Sequence, residues 1–195
     1  MNARRLILVF VSLAALVLAG AIAWRVTRHE AEPAPAAVGG PFRLVDQAGR
    51  PVDESVLQGK WSAVFFGFTY CPDVCPTTLQ ALNVAADQLG PRGKDFQIVF
   101  ISVDPKRDTP RQMKAYLEGQ GLRPGTLGLT GTPDQVAAVT RAYRVYYAVT
   151  GEGDDYNISH STAAYLMDPK GRFDRVLGYG MTPDQIAEQI RAAMG

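Results

Sequence analysis

The sequence predicts an α/β domain in which helices flank a central mixed β-sheet, preceded by an apolar N-terminal segment. Between residues 61 and 143, apolar runs of strand length alternate with segments of helical periodicity, an order typical of a parallel sheet covered by helices. Two further apolar runs near the carboxyl end are joined by the tight turn Asp168-Pro169-Lys170-Gly171, which adds an antiparallel edge. The chain has 195 residues, and those after residue 41 are enough for one domain with its own core.

The N-terminal apolar segment carries no charge from Leu6 to Trp24. As a helix it would be about 28 Å long, at about 1.5 Å per residue, which matches the hydrocarbon core of a bilayer. We therefore expect a cytoplasmic tail at residues 1–5 and a transmembrane anchor at residues 6–26. A cleaved signal segment is the alternative, because Ala21-Ile22-Ala23 has the small-x-small form that signal peptidase accepts.

The cellular location is inferred from the short tail. Arginines flank the anchor on both sides, so the positive-inside rule does not fix the orientation by itself. The tail does resemble the n-region of an exported protein. We therefore expect a single-pass protein of the cell inner membrane with its domain on the periplasmic side, in an oxidising compartment.

A tether is expected between the anchor and the domain. Residues 27–41 have no apolar periodicity and contain three prolines, which is typical of an extended linker. Residues 42–195 form the predicted domain, which begins with a hairpin over residues 42–52 that turns at Gly49.

The remaining elements are predicted from hydrophobic periodicity and helix-start signals. Strands are predicted over residues 61–66, 96–103, 127–129, 163–167 and 173–177. Helices are predicted from near Cys75 to Leu89 and over residues 110–118, 133–143 and 183–193. The tetrad Thr-Pro-x-Gln occurs at Thr109, Thr132 and Thr182. Each copy indicates a helix start, because threonine caps the helix, proline suits its first position, and glutamine can reach back to the cap.

The charge of the chain is nearly balanced, with 20 Lys plus Arg against 19 Asp plus Glu. No long basic run is present. We therefore expect no nucleic-acid partner.

The only two cysteines, Cys71 and Cys75, lie between a predicted strand and a predicted helix. If the helix begins near Cys75, its unpaired N–H groups and its dipole favour thiolate over thiol. Thiolates attack disulfides, bind soft metals and react with peroxide, so the pair alone leaves three chemistries open. A structural disulfide is a further alternative, although so short a loop would contribute little entropic stabilisation.

His160 is the one histidine of the predicted domain, because His29 lies in the tether. It stands just before a predicted strand and after a flexible stretch, where it could be a third ligand beside the two thiols. Two thiolates and one imidazole do not complete a structural zinc site, which normally has four protein ligands. Copper suits such a set better, because thiolate accommodates the cuprous ion and imidazole suits the cupric ion.

Several polar and aromatic residues near these positions have simpler structural interpretations. Asp104 and Asp108 are typical of turn and cap residues rather than ligands. Tyr143, Tyr146 and Tyr147 are expected to be core or edge aromatics.

Taken together, these motifs resemble the Sco/SenC family of copper-binding, thioredoxin-like assembly factors for cytochrome c oxidase. The resemblance lies in blocks that occur in family order and cover nearly the whole domain: Gly67-Phe68-Thr69-Tyr70-Cys71-Pro72-Asp73-Val74-Cys75-Pro76, Ser102-Val103-Asp104-Pro105-Lys106-Arg107-Asp108-Thr109, Leu129-Thr130-Gly131, Ala142-Tyr143-Arg144-Val145-Tyr146-Tyr147, His160-Ser161-Thr162 and Tyr165-Leu166-Met167-Asp168-Pro169-Lys170-Gly171. A thioredoxin-like fold and an N-terminal membrane anchor are what the resemblance implies.

The resemblance also implies the site and its partners. In that family two cysteines and a histidine bind copper, as Cu(I) or Cu(II), and the cysteines exchange between dithiol and disulfide. The matching residues are Cys71, Cys75 and His160. The implied partners are the copper-site subunit of cytochrome c oxidase and other copper chaperones or thiol reductants. The family often has aspartate directly before the histidine, whereas this chain has Ser159, which removes a charge partner without removing a ligand.

Three functions follow from these residues. The first is a metallochaperone that delivers copper to the binuclear copper centre of the oxidase. The second is a membrane-anchored thiol-disulfide reductase without copper transfer, in which Cys71 attacks the substrate disulfide and Cys75 resolves the mixed disulfide. These alternatives leave open whether the chain is an enzyme. The third is a peroxiredoxin-like peroxidase, which needs threonine three positions before the reactive cysteine, where this chain has Phe68.

Overall fold

The structure, a computed structural model, describes residues 10, 13–14, 16–20, 38–151, 153 and 155–195. The predicted tail, most of the predicted anchor and the predicted tether up to residue 37 lie outside this set. In the part of the chain that the structure describes, no helix is both long and apolar enough to cross a membrane. Contacts divide the chain into two compact units, Met1–Ala37 and Val38–Gly195.

The second unit contains strands and helices close to those predicted. The strands are β1 (Arg43–Asp46), β2 (Pro51–Asp53), β3 (Trp61–Gly67), β4 (Phe96–Ser102), β5 (Leu127–Thr130), β6 (Tyr147–Thr150), β7 (Asn157–His160), β8 (Ala164–Met167) and β9 (Phe173–Leu177). The helices are α1 (Val74–Gln88), α2 (Pro110–Gly119), α3 (Pro133–Ala142) and α4 (Pro183–Met194), with 3-10 turns at Glu54–Leu57 and Gly90–Asp95.

Seven strands form one sheet in the order β2-β1-β5-β4-β3-β8-β9. The central strands β3, β4 and β5 are parallel, and β1, β8 and β9 extend the sheet antiparallel to their neighbours. The predicted mixed sheet flanked by helices is therefore confirmed. Strands β3 and β4 are mostly apolar and almost entirely buried, as is typical of central strands with both faces covered.

Strands β6 and β7 form a separate two-stranded hairpin that was not predicted from the sequence. The prediction placed a flexible stretch at residues 150–155 and His160 just ahead of a strand. In the structure His160 does precede β8, and it is also the last residue of β7, where it pairs with Tyr147 of β6. This hairpin brings His160 to the site.

Two layers of buried side chains hold the helices on opposite faces of the sheet. One layer joins α1, α2 and α4 to the sheet through residues such as Leu79, Met113 and Ile190. The other contains Tyr143 at the end of α3 and Ile158 of β7. The hairpin is thus attached to the domain through packing rather than through strand pairing with the main sheet.

The three Thr-Pro-x-Gln tetrads cap α2, α3 and α4 as predicted, since each threonine side chain accepts a bond from the backbone N–H of the glutamine. The glutamine side chain completes the capping box at Thr132 and Thr182. At Thr109 it does not, because the Gln112 side chain instead donates to Thr69 Oγ1 at 3.2 Å. That contact ties the start of α2 to the loop that precedes the cysteines.

Candidate metal centre

Three side chains from two distant parts of the chain meet at the carboxyl end of β3. The sulfur atoms of Cys71 and Cys75 and the ligand nitrogen of His160 all lie within 4.8 Å of one another. Cys71 lies in the turn after β3, Cys75 in the first turn of α1 and His160 at the end of β7. The structure therefore brings together all three residues that the sequence singled out.

The position of Cys75 depends on a glycine at the end of β3. The Cys75 side chain is fully buried. A Cβ atom built on Gly67 would lie 2.5 Å from Cys75 Sγ and 2.9 Å from Cε2 of Phe100. Only glycine at this position leaves room for the Cys75 sulfur beside the end of β3.

The two cysteines differ in environment. Cys71 is half-buried, and its sulfur accepts a hydrogen bond from the backbone N–H of Cys75 at 3.4 Å. This bond holds the Cys71 sulfur at the N-terminal end of α1. Burial raises the pKa of the Cys75 thiol well above its usual range. The helix does begin beside Cys75 as expected, but the preference for thiolate does not extend to the Cys75 sulfur, because desolvation outweighs the helix dipole at a fully buried position.

His160 is held as a neutral imidazole with one nitrogen directed at the thiols. Its Nδ1 donates to the carbonyl oxygen of Ser161 at 2.7 Å. A carbonyl only accepts, so Nδ1 carries the proton and Nε2 keeps its lone pair, 3.5 Å from Cys75 Sγ. Burial lowers the pKa of His160 more than the Ser161 contact raises it. The rings of Phe65 and Phe68 lie edge-on to the imidazole at 6.2 and 5.8 Å.

Asp108 stabilises the loop that precedes the two cysteines. Its carboxylate accepts hydrogen bonds from Thr69 N at 3.1 Å, from Thr69 Oγ1 at 2.6 Å and from Ser102 Oγ at 2.6 Å. Burial raises the pKa of this carboxyl group in spite of those bonds. Asp108 is neither the cap of α2, which is Thr109, nor part of the donor group.

Asp104 supports the hairpin that carries His160. It accepts a hydrogen bond from the Tyr156 hydroxyl at 2.5 Å and pairs with the Arg107 side chain. The carboxylate is buried and lies outside the donor group. The sequence predicted a turn residue here, and nothing in it indicated the two partners, Arg107 and Tyr156.

The three predicted core or edge tyrosines have different surroundings. Tyr143 is fully buried between the rings of Phe66 and Tyr165. Tyr146 is 67% exposed. Tyr147 is half-buried and pairs with His160 in the hairpin.

The donor group fits one soft metal ion. Metal–sulfur and metal–nitrogen bonds of about 2.0–2.3 Å place two ligands of one ion at most about 4.6 Å apart, so a spread within 4.8 Å requires only small shifts. Among the described residues this is the only group of three or more Cys, His, Asp or Glu side chains with such geometry. A closed structural zinc site would need a fourth ligand. Two sulfurs and one imidazole match the preferences of copper.

Comparisons with known proteins agree with this chemistry. The family model described as SCO1/SenC matches residues 30–195. The chain is 42% identical over 158 residues to protein SenC of Rhodobacter capsulatus, which covers 80% of this chain and 71% of that protein. It is 43% identical over 157 residues to the mitochondrial SCO1 homolog 1 of Arabidopsis thaliana, covering 80% of this chain but only 46%, about half, of that relative. The crystal structure of Arabidopsis ScoI with copper bound has a TM-score of 0.76 at 41% identity and covers 81% of this chain and 98% of that one.

Proposed function

The chain belongs to the SCO1/SenC family, and from that premise we propose that it is a copper metallochaperone for the assembly of cytochrome c oxidase. A solved relative at 41% identity holds copper. The single observation that carries the proposal is the convergence of the Cys71, Cys75 and His160 donor atoms within 4.8 Å. Copper is the ion that this sulfur and imidazole set suits best.

Transfer proceeds by ligand exchange. The three protein donors leave one coordination position for an incoming ligand. Cys71 is only half-buried, whereas Cys75 is fully buried, so an acceptor thiolate approaches from the Cys71 side. The acceptor is the binuclear copper centre of the oxidase, and copper is supplied by another chaperone. Since His160 lies on a hairpin outside the main sheet, its release opens the site without disturbing the thiol pair.

A second candidate function is reduction of the acceptor's own cysteines. The exposure difference favours it, because the accessible Cys71 thiolate can attack an acceptor disulfide and form a mixed disulfide. The Cys75 thiolate then attacks the Cys71 sulfur, which releases the acceptor dithiol and leaves the Cys71–Cys75 disulfide, two electrons having passed to the acceptor. The raised pKa of Cys75 slows this second step.

The peroxidase alternative has no supporting contact. At the position where a peroxiredoxin carries threonine, Phe68 packs against the His160 ring at 5.8 Å. No hydroxyl is available from that position to activate a peroxide.

We further propose that residues 6–26 anchor the chain in the inner membrane and that residues 27–41 tether the domain on the periplasmic side. This follows from the uncharged segment Leu6 to Trp24 and from the family membership. Delivery to a membrane-bound oxidase would then occur along the same membrane surface.

The decisive test is anaerobic copper titration of residues 38–195, which form one compact unit. Wild type is compared with His160→Ala and Cys71→Ser, and Ser159→Ala serves as a neighbouring control. We expect about one copper per chain in wild type and in the control, with weaker binding in both ligand variants. If His160→Ala binds Cu(II) as tightly as wild type, the ligand assignment is wrong. If wild type binds copper no better than Cys71→Ser, the reductase is the better function.

A further inference from the structure

Arg107 contacts both of the chain segments that supply the donor group. Its guanidinium lies over the ring of Tyr156 at 3.8 Å and faces the ring of Tyr70 at 5.0 Å. Its Nη1 donates to the backbone carbonyl of Tyr156 at 3.2 Å. Tyr70 immediately precedes Cys71, and Tyr156 begins the segment that ends at His160. One side chain thus bridges the loop of the thiols and the strand of the imidazole.

Asp104 fixes this bridge from the other side. It pairs with Arg107 Nε and accepts a hydrogen bond from the Tyr156 hydroxyl at 2.5 Å. Burial and the bond to Asp104 raise the pKa of Tyr156 to about 12, so the hydroxyl remains a donor at neutral pH. The Arg107 side chain is 17% exposed. The guanidinium is therefore held in one orientation.

The remaining guanidinium nitrogen of Arg107 has an unusual environment. Arg107 Nη2 is buried and has no hydrogen-bond partner. A buried nitrogen without a hydrogen-bond partner is rare and lowers the stability of the folded state. Here the aromatic faces of Phe68, Tyr70 and Tyr156 surround the cation at 5.8, 5.0 and 3.8 Å. Arginine suits this position, because its planar guanidinium stacks on aromatic rings and fills the space between the two segments.

The hairpin needs such a connection, because it does not pair with the main sheet. The two thiols share one continuous segment and are joined by the bond from Cys75 N to Cys71 Sγ. Their spacing is therefore set locally. The distance from either thiol to His160 is set by long-range contacts, which include the packing of Phe68 on the His160 ring and the bridge through Arg107.

We propose that Arg107 is a positioning residue that holds His160 against the thiol pair and so sets the preference of the site between Cu(II) and Cu(I). This inference rests on the proposed copper function. Thiolates accommodate the cuprous ion, whereas imidazole is the donor that the cupric ion prefers. A hairpin that is no longer held by Arg107 therefore weakens Cu(II) binding more than Cu(I) binding.

The test compares residues 38–195 of wild type with Arg107→Met and Arg107→Lys, and with Arg123→Met as a matched control. Arg123 is also half-buried, donates to the Gly93 carbonyl at 3.0 Å and has a buried nitrogen without a partner, but it does not contact the site. Affinities for Cu(II) and Cu(I) are measured by competition, and the Cu(II) sites are compared by electron paramagnetic resonance. In the metal-free proteins, amide hydrogen exchange is measured over residues 156–161.

We expect Arg107→Met to lower Cu(II) affinity by about tenfold, the lower end of the loss found when a group that orients a metal ligand is removed, with a smaller change in Cu(I) affinity. Its Cu(II) resonance should shift, and metal-free exchange over residues 156–161 should accelerate. Arg107→Lys should restore only part of these properties, because lysine lacks the planar fork. Arg123→Met should change none of them.

Three outcomes would overturn the inference. One is an unchanged ratio of Cu(II) to Cu(I) affinity in Arg107→Met. Another is an unchanged Cu(II) resonance. The third is an equal loss of Cu(II) and Cu(I) affinity in Arg107→Met that Arg123→Met also shows when the two variants lose the same amount of thermal stability. If wild type binds no copper, the proposed function fails instead, and the metal-free exchange still decides whether Arg107 holds the hairpin.

Discussion

The Nε2 atom of His160 lies 3.5 Å from the sulfur of Cys75, although 85 positions separate the two residues in the chain. Cys75 is fixed by the sheet, because its sulfur occupies the space beside Gly67 at the end of β3. His160 is fixed by a hairpin that packs on the domain without joining the main sheet. The site therefore combines a rigid thiol pair with a separately held imidazole, a suitable arrangement for binding and then releasing a metal ion.

The first prediction concerns Gly67. In Gly67→Ala the new Cβ would lie 2.5 Å from Cys75 Sγ and 2.9 Å from Phe100 Cε2, so the sulfur or the strand must move. We expect weaker copper binding and a loss of about 1–3 kcal/mol in the free energy of unfolding, as for other overpacked cores. Copper competition and urea denaturation measure the two effects.

The matched control for this change is Gly119→Ala. A Cβ at Gly119 would meet nothing within 4 Å, and its φ is not positive. This variant should bind copper as wild type does and lose no stability. Wild-type copper affinity in Gly67→Ala would show that the sulfur position does not depend on the glycine.

The second prediction concerns the unequal reactivity of the thiols. In the metal-free, reduced protein at pH 8, iodoacetamide should modify Cys71 at least about tenfold faster than Cys75, since each unit by which a pKa rises lowers the thiolate fraction about tenfold. Cys75 is fully buried, and burial raises its pKa. Peptide mass spectrometry over time measures both rates. In urea the two rates should converge, and equal rates in the folded protein would contradict the assigned burial.

The elements of the main sheet were predictable because their signals are local. Strands β3 and β4 each contain four consecutive apolar residues, and three of the helices begin at a Thr-Pro-x-Gln tetrad. The predicted bounds of these strands and tetrad helices agree with the structure to within one residue at each end. Strands β6 and β7 were missed because they mix polar and apolar residues and bury only Ile158, so neither has a clear hydrophobic pattern.

The surroundings of the site were less predictable because they depend on long-range contacts. Arg107 meets the Tyr156 carbonyl across 49 positions, and nothing in the local sequence around either residue indicates this contact. The high pKa of Cys75 likewise arises from residues that cover the sulfur, while the local helix start predicted a thiolate. That Cys71, Cys75 and His160 bind a metal stays a prediction; the structure shows that they can do so together.

The third prediction concerns Ser159, the residue directly before His160. Ser159 and His160 are consecutive in β7, so their side chains point to opposite faces, and Ser159 is exposed. The Nδ1 proton of His160 is already bound by the Ser161 carbonyl at 2.7 Å. We therefore expect Ser159→Asp to change copper affinity by less than about threefold, well below the effect of a true outer-shell partner. Competition titration with Ser159→Ala as control decides this, and a tenfold gain would show that the carboxylate reaches the imidazole.

Two turns of the sheet share one arrangement, which provides the last prediction. Asp46 and Arg50 close the turn between β1 and β2, and Asp168 and Arg172 close the turn between β8 and β9. In each turn the aspartate Oδ1 accepts two backbone N–H bonds and Oδ2 accepts the arginine Nε at 2.8 Å. Burial acts to raise the pKa of both carboxyl groups, but these hydrogen bonds outweigh it and lower both values.

A lowered pKa in the folded state makes Asp46 stabilising wherever it is ionised. The contribution is complete above the unfolded value of about 3.9 and is lost as the pH falls through the lower folded value. Asp46→Asn should therefore cost about 1–3 kcal/mol of unfolding free energy at pH 7, and the difference from wild type should shrink below about pH 4. Urea denaturation between pH 3 and pH 7 measures it, with Asp95→Asn, an exposed carboxylate, as control. A difference that persists unchanged at pH 3 would show that the turn depends on the shape of Asp46 and not on its charge.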